Sequence, residues 1–336
     1  MSDKILQMFF DIGRWTKAIE KGVGKDIRKD QLIRLADERT LLAMAGAMRR
    51  GKYEISPPHT AQIPKDNGEF RTVYVNEPMD RVVLGIANDL LFELMPEMLH
   101  PSCKSYQTGI GCGKVVAEAS RRMSEASGSG CPGWKSDLSK YFDSVPIRFI
   151  DEAFDKVEAR HGQSALIDVL RKYYHSDLYF DGDNRLQSRY QSLKQGCAVA
   201  SWLADVLLYD LDAELSQMNG YYVRYSDDML FIGEDYEKAM ATLQKRLEEK
   251  SNEAQSQESG IPDSRCLVQV FRLQHQGRHG LALVIPHQDL PTRDRTADNP
   301  LPGHDTGKSR ERREPLPVQG RVQLGDTGVA GLQREE

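Results

Sequence analysis

The feature that most constrains this chain is Tyr225-Ser226-Asp227-Asp228, two adjacent carboxylates between the apolar runs Tyr221-Tyr222-Val223 and Met229-Leu230-Phe231-Ile232. Aromatic and β-branched residues on both sides favour strands, and a Ser-Asp-Asp link suits a tight turn. The segment therefore predicts a hairpin carrying its charges at the tip. An Asp-rich turn on its own is more often a solvated surface feature than a site. Two like charges side by side repel, and sharing a cation with a further ligand offsets that cost.

The third carboxylate is supplied upstream, in Trp134-Lys135-Ser136-Asp137-Leu138, where Asp137 ends a predicted short strand. Three hard oxygen donors at strand ends suit a pair of Mg²⁺ ions, or Mn²⁺ in their place. Two such ions about 3.5–4 Å apart are the usual machinery of nucleotidyl transfer: one lowers the pKa of a primer 3′-hydroxyl, the other holds the triphosphate and the leaving pyrophosphate. That chemistry uses neither His nor Cys.

Further blocks along the chain carry a resemblance. Ile63-Pro64-Lys65-Asp66-Asn67-Gly68-Glu69-Phe70-Arg71, then Asp80-Arg81-Val82-Val83, then Ser105 to Gly111, Asp137 to Asp143, Gln195-Gly196 and Tyr225 to Asp228 stand in one order. In that order they resemble the motifs of the reverse transcriptases, particularly the bacterial branch related to group II intron, retron and phage-defence enzymes. Collinear agreement of several blocks is far more specific than one Asp-Asp pair. The resemblance implies an α+β right-hand architecture, with fingers and an antiparallel palm sheet backed by helices.

It also implies roles for individual residues. Asp137, Asp227 and Asp228 are similar to the catalytic, metal-binding triad, with the Leu138 carbonyl as a further metal ligand. Phe142 matches the aromatic position beside the sugar C2′, where a ring clashes with a 2′-hydroxyl and favours deoxynucleotides. Lys65 and Arg71 resemble the fingers cations that grip the triphosphate, a task suited to the rigid guanidinium fork. Gln195 and Gly196 resemble the pair lying against the incoming nucleotide and template base. The implied partners are an RNA template, a DNA or RNA primer, deoxynucleotides and a cognate structured non-coding or intron RNA. Two departures stand out: Cys197-Ala198-Val199-Ala200 replaces the prolines and serine usual after Gln-Gly, and Gln107 stands where an arginine is common.

With 336 residues and 39% hydrophobic content the chain can bury a large core. A net charge of −5 is not the footprint of a protein that coats nucleic acid, so the basic residues that matter must be local, as from Lys65 to Arg81. Five cysteines without paired metal spacing suit a reducing, cytoplasmic setting. No apolar run reaches transmembrane length, and Met8-Phe9-Phe10 is too short for a signal peptide, so no membrane partner is expected.

The expected organisation is a helical extension over residues 1–50, fingers over 51–130, palm over 131–250 and a low-order tail over 251–336. Within it, Ser127 to Gly133 reads as a flexible link, Ile147 to Lys172 and Ala198 to Leu215 as helices, and Glu237 to Lys250 as another. After Lys250 the composition changes. All 13 tyrosines precede that point, and the remainder holds one lysine against ten arginines. Composition alone reads as disorder. Reading Asn252 to Ile261 one base later with suitable codons, however, spells MKLNPKKVEY, and Arg265 to Leu273 likewise spells DAWFKFLGF. Both are similar to blocks that follow the Tyr-x-Asp-Asp hairpin in the family, so a frameshift near Ser251 would have replaced the thumb. Two other readings follow: a catalytically impaired remnant acting at most as an RNA-binding protein, and an RNA-templated RNA polymerase, which Phe142 and Tyr225 disfavour.

Overall fold

The computed structural model describes residues 3–21, 27–65, 68–107, 109–129, 131–138, 141–255 and 268–273. The chain divides into two units, Met1–Gln274 and His275–Glu336. The second lies outside the described residues, and with it most of the expected tail and the question of the thumb.

The helical spacing of the first fifty residues resolves into α1 (Lys4–Phe9), α2 (Ile12–Glu20), α3 (Lys29–Leu35) and α4 (Glu38–Arg49). Three of these begin at an Asp whose side chain accepts from backbone amides of the first turn: Asp3 from Leu6 N, Asp11 from Arg14 N, Asp37 from Arg39 N and Thr40 N. Such caps satisfy donors that the helix itself leaves unpaired. Ile5, Phe9 and Trp15 bury completely, whereas Ile12 and Leu42 stay exposed.

The next stretch forms β1 (His59–Pro64) and β2 (Phe70–Val75), then the long helix α5 (Pro78–Leu94) and α6 (Cys112–Ser129). The predicted link at Ser127 is therefore helical through Ser129. Strand β3 (Gly133–Leu138) starts at a glycine for a steric reason: a Cβ on Gly133 would sit 2.6 Å from Phe231 O. After it come α7 (Tyr141–Ser144), α8 (Ile147–His161), α9 (Ala165–His175), β4 (Leu178–Phe180) and β5 (Leu186–Ser188). The single helix expected over 147–172 is two, broken at Gly162 with φ +91°. The single helix expected over 198–215 is likewise two, α10 (Val199–Val206) and α11 (Tyr209–Ser216). Strands β6 (Tyr221–Tyr225) and β7 (Asp228–Ile232), helix α12 (Tyr236–Gln255) and strand β8 (Val268–Leu273) complete the described elements.

Two four-stranded sheets result. One has the order β2-β1-β4-β5, and the other β6-β7-β3-β8 with every pairing antiparallel. The second is the palm sheet. Trp134 on β3 is fully buried, stacks on Phe231 with centroids 5.8 Å apart, and donates its indole N–H to Tyr236 O at 2.9 Å. Helices α6, α11 and α12 pack against this sheet, and α10 packs on α5 and α8, joining it to the main core.

Strand β8 corrects the sequence reading. It pairs with β3 along its whole length, Gly133 opposite Leu273 and Leu138 opposite Val268, although it falls in the stretch expected to be a low-order tail. Averaging composition over 86 residues concealed six with strand character, Val268-Gln269-Val270-Phe271-Arg272-Leu273.

Candidate active site

The hairpin expectation is met in backbone geometry. Tyr225 and Asp228 are directly opposite, leaving Ser226 and Asp227 as a two-residue turn, and Ser226 takes the positive φ of +57° that the tight primed hairpin turns require. On the other side of β7, Asp228 lies opposite Asp137, and Leu138 N donates to Asp227 O at 3.2 Å. Strand register thus brings Asp137, Asp227 and Asp228 to one end of the palm sheet. Leu138 occupies the last position of β3 with its side chain buried, so its backbone is what it offers the site.

The electrostatics follow from that crowding. Burial, then the charges of Asp227 and Asp228, push the Asp137 carboxyl up to about 6, and a hydrogen bond with Asp227 favours its protonated form. Burial also raises Asp228, opposed by Lys135. Lys135 lies two residues before Asp137 on β3, and its Nζ stands 2.8 Å from Asp228 Oδ1, with both side chains about seven-eighths buried at 14% and 13% exposure. Among the described residues, no three His, Cys, Asp or Glu side chains stand together at metal-binding separation. The donor set nonetheless suits Mg²⁺ or Mn²⁺: hard oxygens on adjoining strands, with a mutual repulsion that positive charge relieves.

A second group of predicted site residues lies on α7 and in the segment before α10. Phe142 on α7 is partly buried, in edge contact with Tyr141, and its carbonyl accepts from Leu193 N at 2.9 Å. Two residues later Gln195 O accepts from Tyr74 N on β2 at 2.7 Å. Gly196 has φ +106°, and a Cβ there would meet Tyr74 O at 2.8 Å, so both backbone conformation and close approach demand glycine. Phe142, Gln195 and Gly196 are thereby tied to one another and to the β2-β1-β4-β5 sheet. Lys65 and Arg71 lie at the far ends of β1 and β2. Lys65 is exposed and pairs with Glu69 at 3.4 Å. No contact among the described residues joins either cation to the triad, and Asp66 and Asn67 of the expected turn lie outside them.

Sequence reasoning passed over Lys135, Lys194 and Arg224 as functional residues. Lys194 is buried at 1% exposure with φ +50°. Its Nζ donates to Ser176 O at 2.8 Å and lies over the Tyr173 ring, and burial pulls it down to about 8. For Lys135 and Arg224 the available signal was a charged residue inside a strand, as with Arg224 between Val223 and Tyr225, whereas Lys194 lies in the loop before α10.

Comparison with known proteins shows the family. The family described as "Reverse transcriptase (RNA-dependent DNA polymerase)" matches residues 63–270, more than half of the chain. A curated relative, the "Putative COX1/OXI3 intron 2 protein" of Saccharomyces cerevisiae, is 24% identical over 170 residues, covering 48% of this chain and 18% of its own length. Similar solved structures include a chain of a "Partial Cas6-RT-Cas1--Cas2 complex", at 17% identity, covering 77% of this chain and 44% of that one, with a TM-score of 0.42. Another is apo telomerase from Candida Tropicalis, at 11% identity, covering 66% and 44%, with a TM-score of 0.45. The chain belongs to the reverse transcriptase family.

Proposed function

We propose that this chain is an RNA-directed DNA polymerase that adds deoxynucleotides to a primer 3′-hydroxyl on an RNA template. The observation that carries the reading is the register of β3, β7 and the β6–β7 turn, which gathers Asp137, Asp227 and Asp228 at one sheet end. Two Mg²⁺ ions held there would supply charge for activating the hydroxyl and stabilising the leaving pyrophosphate. Asp137, Asp227 and Asp228 would hold them, with the Leu138 carbonyl assisting. Phe142 restricts the space beside the sugar, Gln195 and Gly196 form the floor under the incoming nucleotide, and Lys65 and Arg71 draw in its triphosphate. Metal-dependent incorporation of deoxynucleotides on an RNA-primed or DNA-primed RNA template tests the reading. Asp137→Asn and Asp227→Asn abolish it if correct, and undiminished activity in either rules it out.

The subgroup we favour is the bacterial one serving group II introns, retrons or phage defence, acting in the cytoplasm with a cognate structured RNA. The name of the yeast intron relative supports an intron association. A second reading is a catalytically impaired remnant that only binds RNA. It is favoured by the blocks that suitable codons give in a second frame after Ser251. Sequencing the gene for a second frame from Asn252, then comparing extension by the chain and by a frame-restored version, separates the two readings.

A further inference from the structure

Arg224 is fully buried in β6, one residue before the Tyr-Ser-Asp-Asp segment. Its guanidinium uses all five of its N–H donors on protein oxygens. Nε donates to Asp212 Oδ1 at 2.8 Å, and Nη2 to Asp212 Oδ2 at 2.6 Å and Asp205 O at 2.8 Å. Nη1 donates to Ala204 O at 3.2 Å and Ser226 O at 3.0 Å. The backbone of Arg224 is held as well: its amide donates to Ser102 O, and its carbonyl accepts from Lys104 N, both at 2.9 Å.

These partners belong to three places. Asp212 lies on α11, and its carboxylate, completely buried, also accepts from Tyr222 OH at 2.8 Å. Ala204 and Asp205 belong to the last turn of α10, where helix carbonyls lack intrahelical donors. Ser226 is the first residue of the catalytic turn. Its carbonyl belongs to the peptide that leads directly into Asp227, so a bond to that oxygen fixes the peptide plane from which Asp227 projects. A second tether acts from outside: Tyr106 OH lies 3.2 Å from Ser226 Oγ. A non-glycine residue at φ +57° costs free energy unless its surroundings hold it there, and here two side chains converge on it.

We infer that Arg224, assisted by Tyr106, is the positioning residue of the polymerase site. It locks the Ser226–Asp227 peptide onto the end of α10, so that the metal-binding carboxylates keep a fixed place relative to the Gln195-Gly196 segment from which α10 springs. The inference rests on the functional reading above for its consequence in catalysis, and on the hydrogen bonds alone for its effect on metal binding. Lysine cannot replace arginine here: an ammonium can answer Asp212 but has three donors and no planar fork to reach Ala204, Asp205 and Ser226 together.

The test uses the full chain and two variants, Arg224→Lys and Tyr106→Phe. Mn²⁺ binding is titrated by water-proton relaxation, counting only the component that Asp137→Asn removes, beside circular dichroism, thermal melting and primer extension. In folded Arg224→Lys, Mn²⁺ affinity should fall by about fivefold or more and kcat by about tenfold or more, with the deoxynucleotide KM moving much less. Tyr106→Phe should weaken Mn²⁺ binding by about twofold to fivefold without altering the melting curve. A folded Arg224→Lys with parental Mn²⁺ affinity overturns the inference, since a residue serving only the core would lower the melting temperature alone. Should Arg224→Lys fail to fold, parental Mn²⁺ affinity in Tyr106→Phe overturns it instead. If the parent binds Mn²⁺ but makes no DNA, the polymerase reading fails while the Mn²⁺ comparison still decides the role of Arg224.

Discussion

Lys135 Nζ stands 2.8 Å from Asp228 Oδ1, an ion pair between adjacent strands of the palm sheet with both partners largely shielded from water. Its placement beside Asp137 makes Lys135 an internal counter-charge for a cluster that would otherwise hold only carboxylates. The pair is shielded enough to act on both acids, since the ammonium lowers the proton affinity of Asp137 and Asp228 alike.

Lys135→Met should therefore raise the pKa of both carboxyls further. The expected outcome is an acid limb of the pH–activity profile displaced upward by about one unit, with the displacement shrinking as Mg²⁺ is raised. A profile superimposable on the parent's would show that Lys135 does not tune the site.

Asp137 predicts a pH dependence of stability. Its folded-state pKa is raised to about 6 from an ordinary 3.8, so between those values the folded chain keeps a proton the unfolded chain has lost. Folding stability from this group is thus lost as pH rises through that window, and stays lower above it. In EDTA the melting temperature of the parent should fall relative to the non-titrating Asp137→Asn between pH about 4 and about 6, and added Mg²⁺ should restore it. A constant difference across that range would contradict the assignment.

Phe142→Ala removes the ring from α7, whose backbone at Phe142 is held by Leu193, two residues before Gln195. Discrimination against ribonucleotides should fall by about tenfold or more, read as the ratio of kcat/KM for matched deoxynucleotides and ribonucleotides. Equal discrimination in variant and parent removes the ring from the sugar gate.

Gly196→Ala forces a Cβ to within 2.8 Å of Tyr74 O while keeping φ at +106°. A loss of about 1–3 kcal/mol is expected from the backbone conformation alone, with the Gln195–Tyr74 hydrogen bond weakened. Chemical denaturation measures the loss, and an unchanged midpoint would mean the loop relaxes freely.

Much of this organisation was legible in the sequence because it depends on local patterns. The hairpin over Tyr221 to Ile232 was written in two apolar runs around a polar link, and the first four helices in apolar spacing. Helix breaks were less well read: the stop between α8 and α9 is set by Gly162 at φ +91°, within the polar stretch Arg160 to Ser164. The buried Arg224 and Lys194 were hidden for another reason. A lone charge reads as solvated until the partners around it are known, and Asp212 is twelve residues away while Ser176 is eighteen.

The sequence by itself determined the candidate site residues of this protein. The two adjacent carboxylates at a hairpin tip and the third on a strand end are identities and short spacings that no distant contact needs to explain. Only the tertiary structure decided how they meet. The antiparallel register of β3 against β7 sets Asp137 opposite Asp228, Lys135 answers their charge, and β8 closes the other edge of β3. Those outcomes depend on pairing across 91 residues from Asp137 to Asp228, and on burial that makes an ion pair or a saturated guanidinium worth its desolvation. Such terms appear only when the chain is folded.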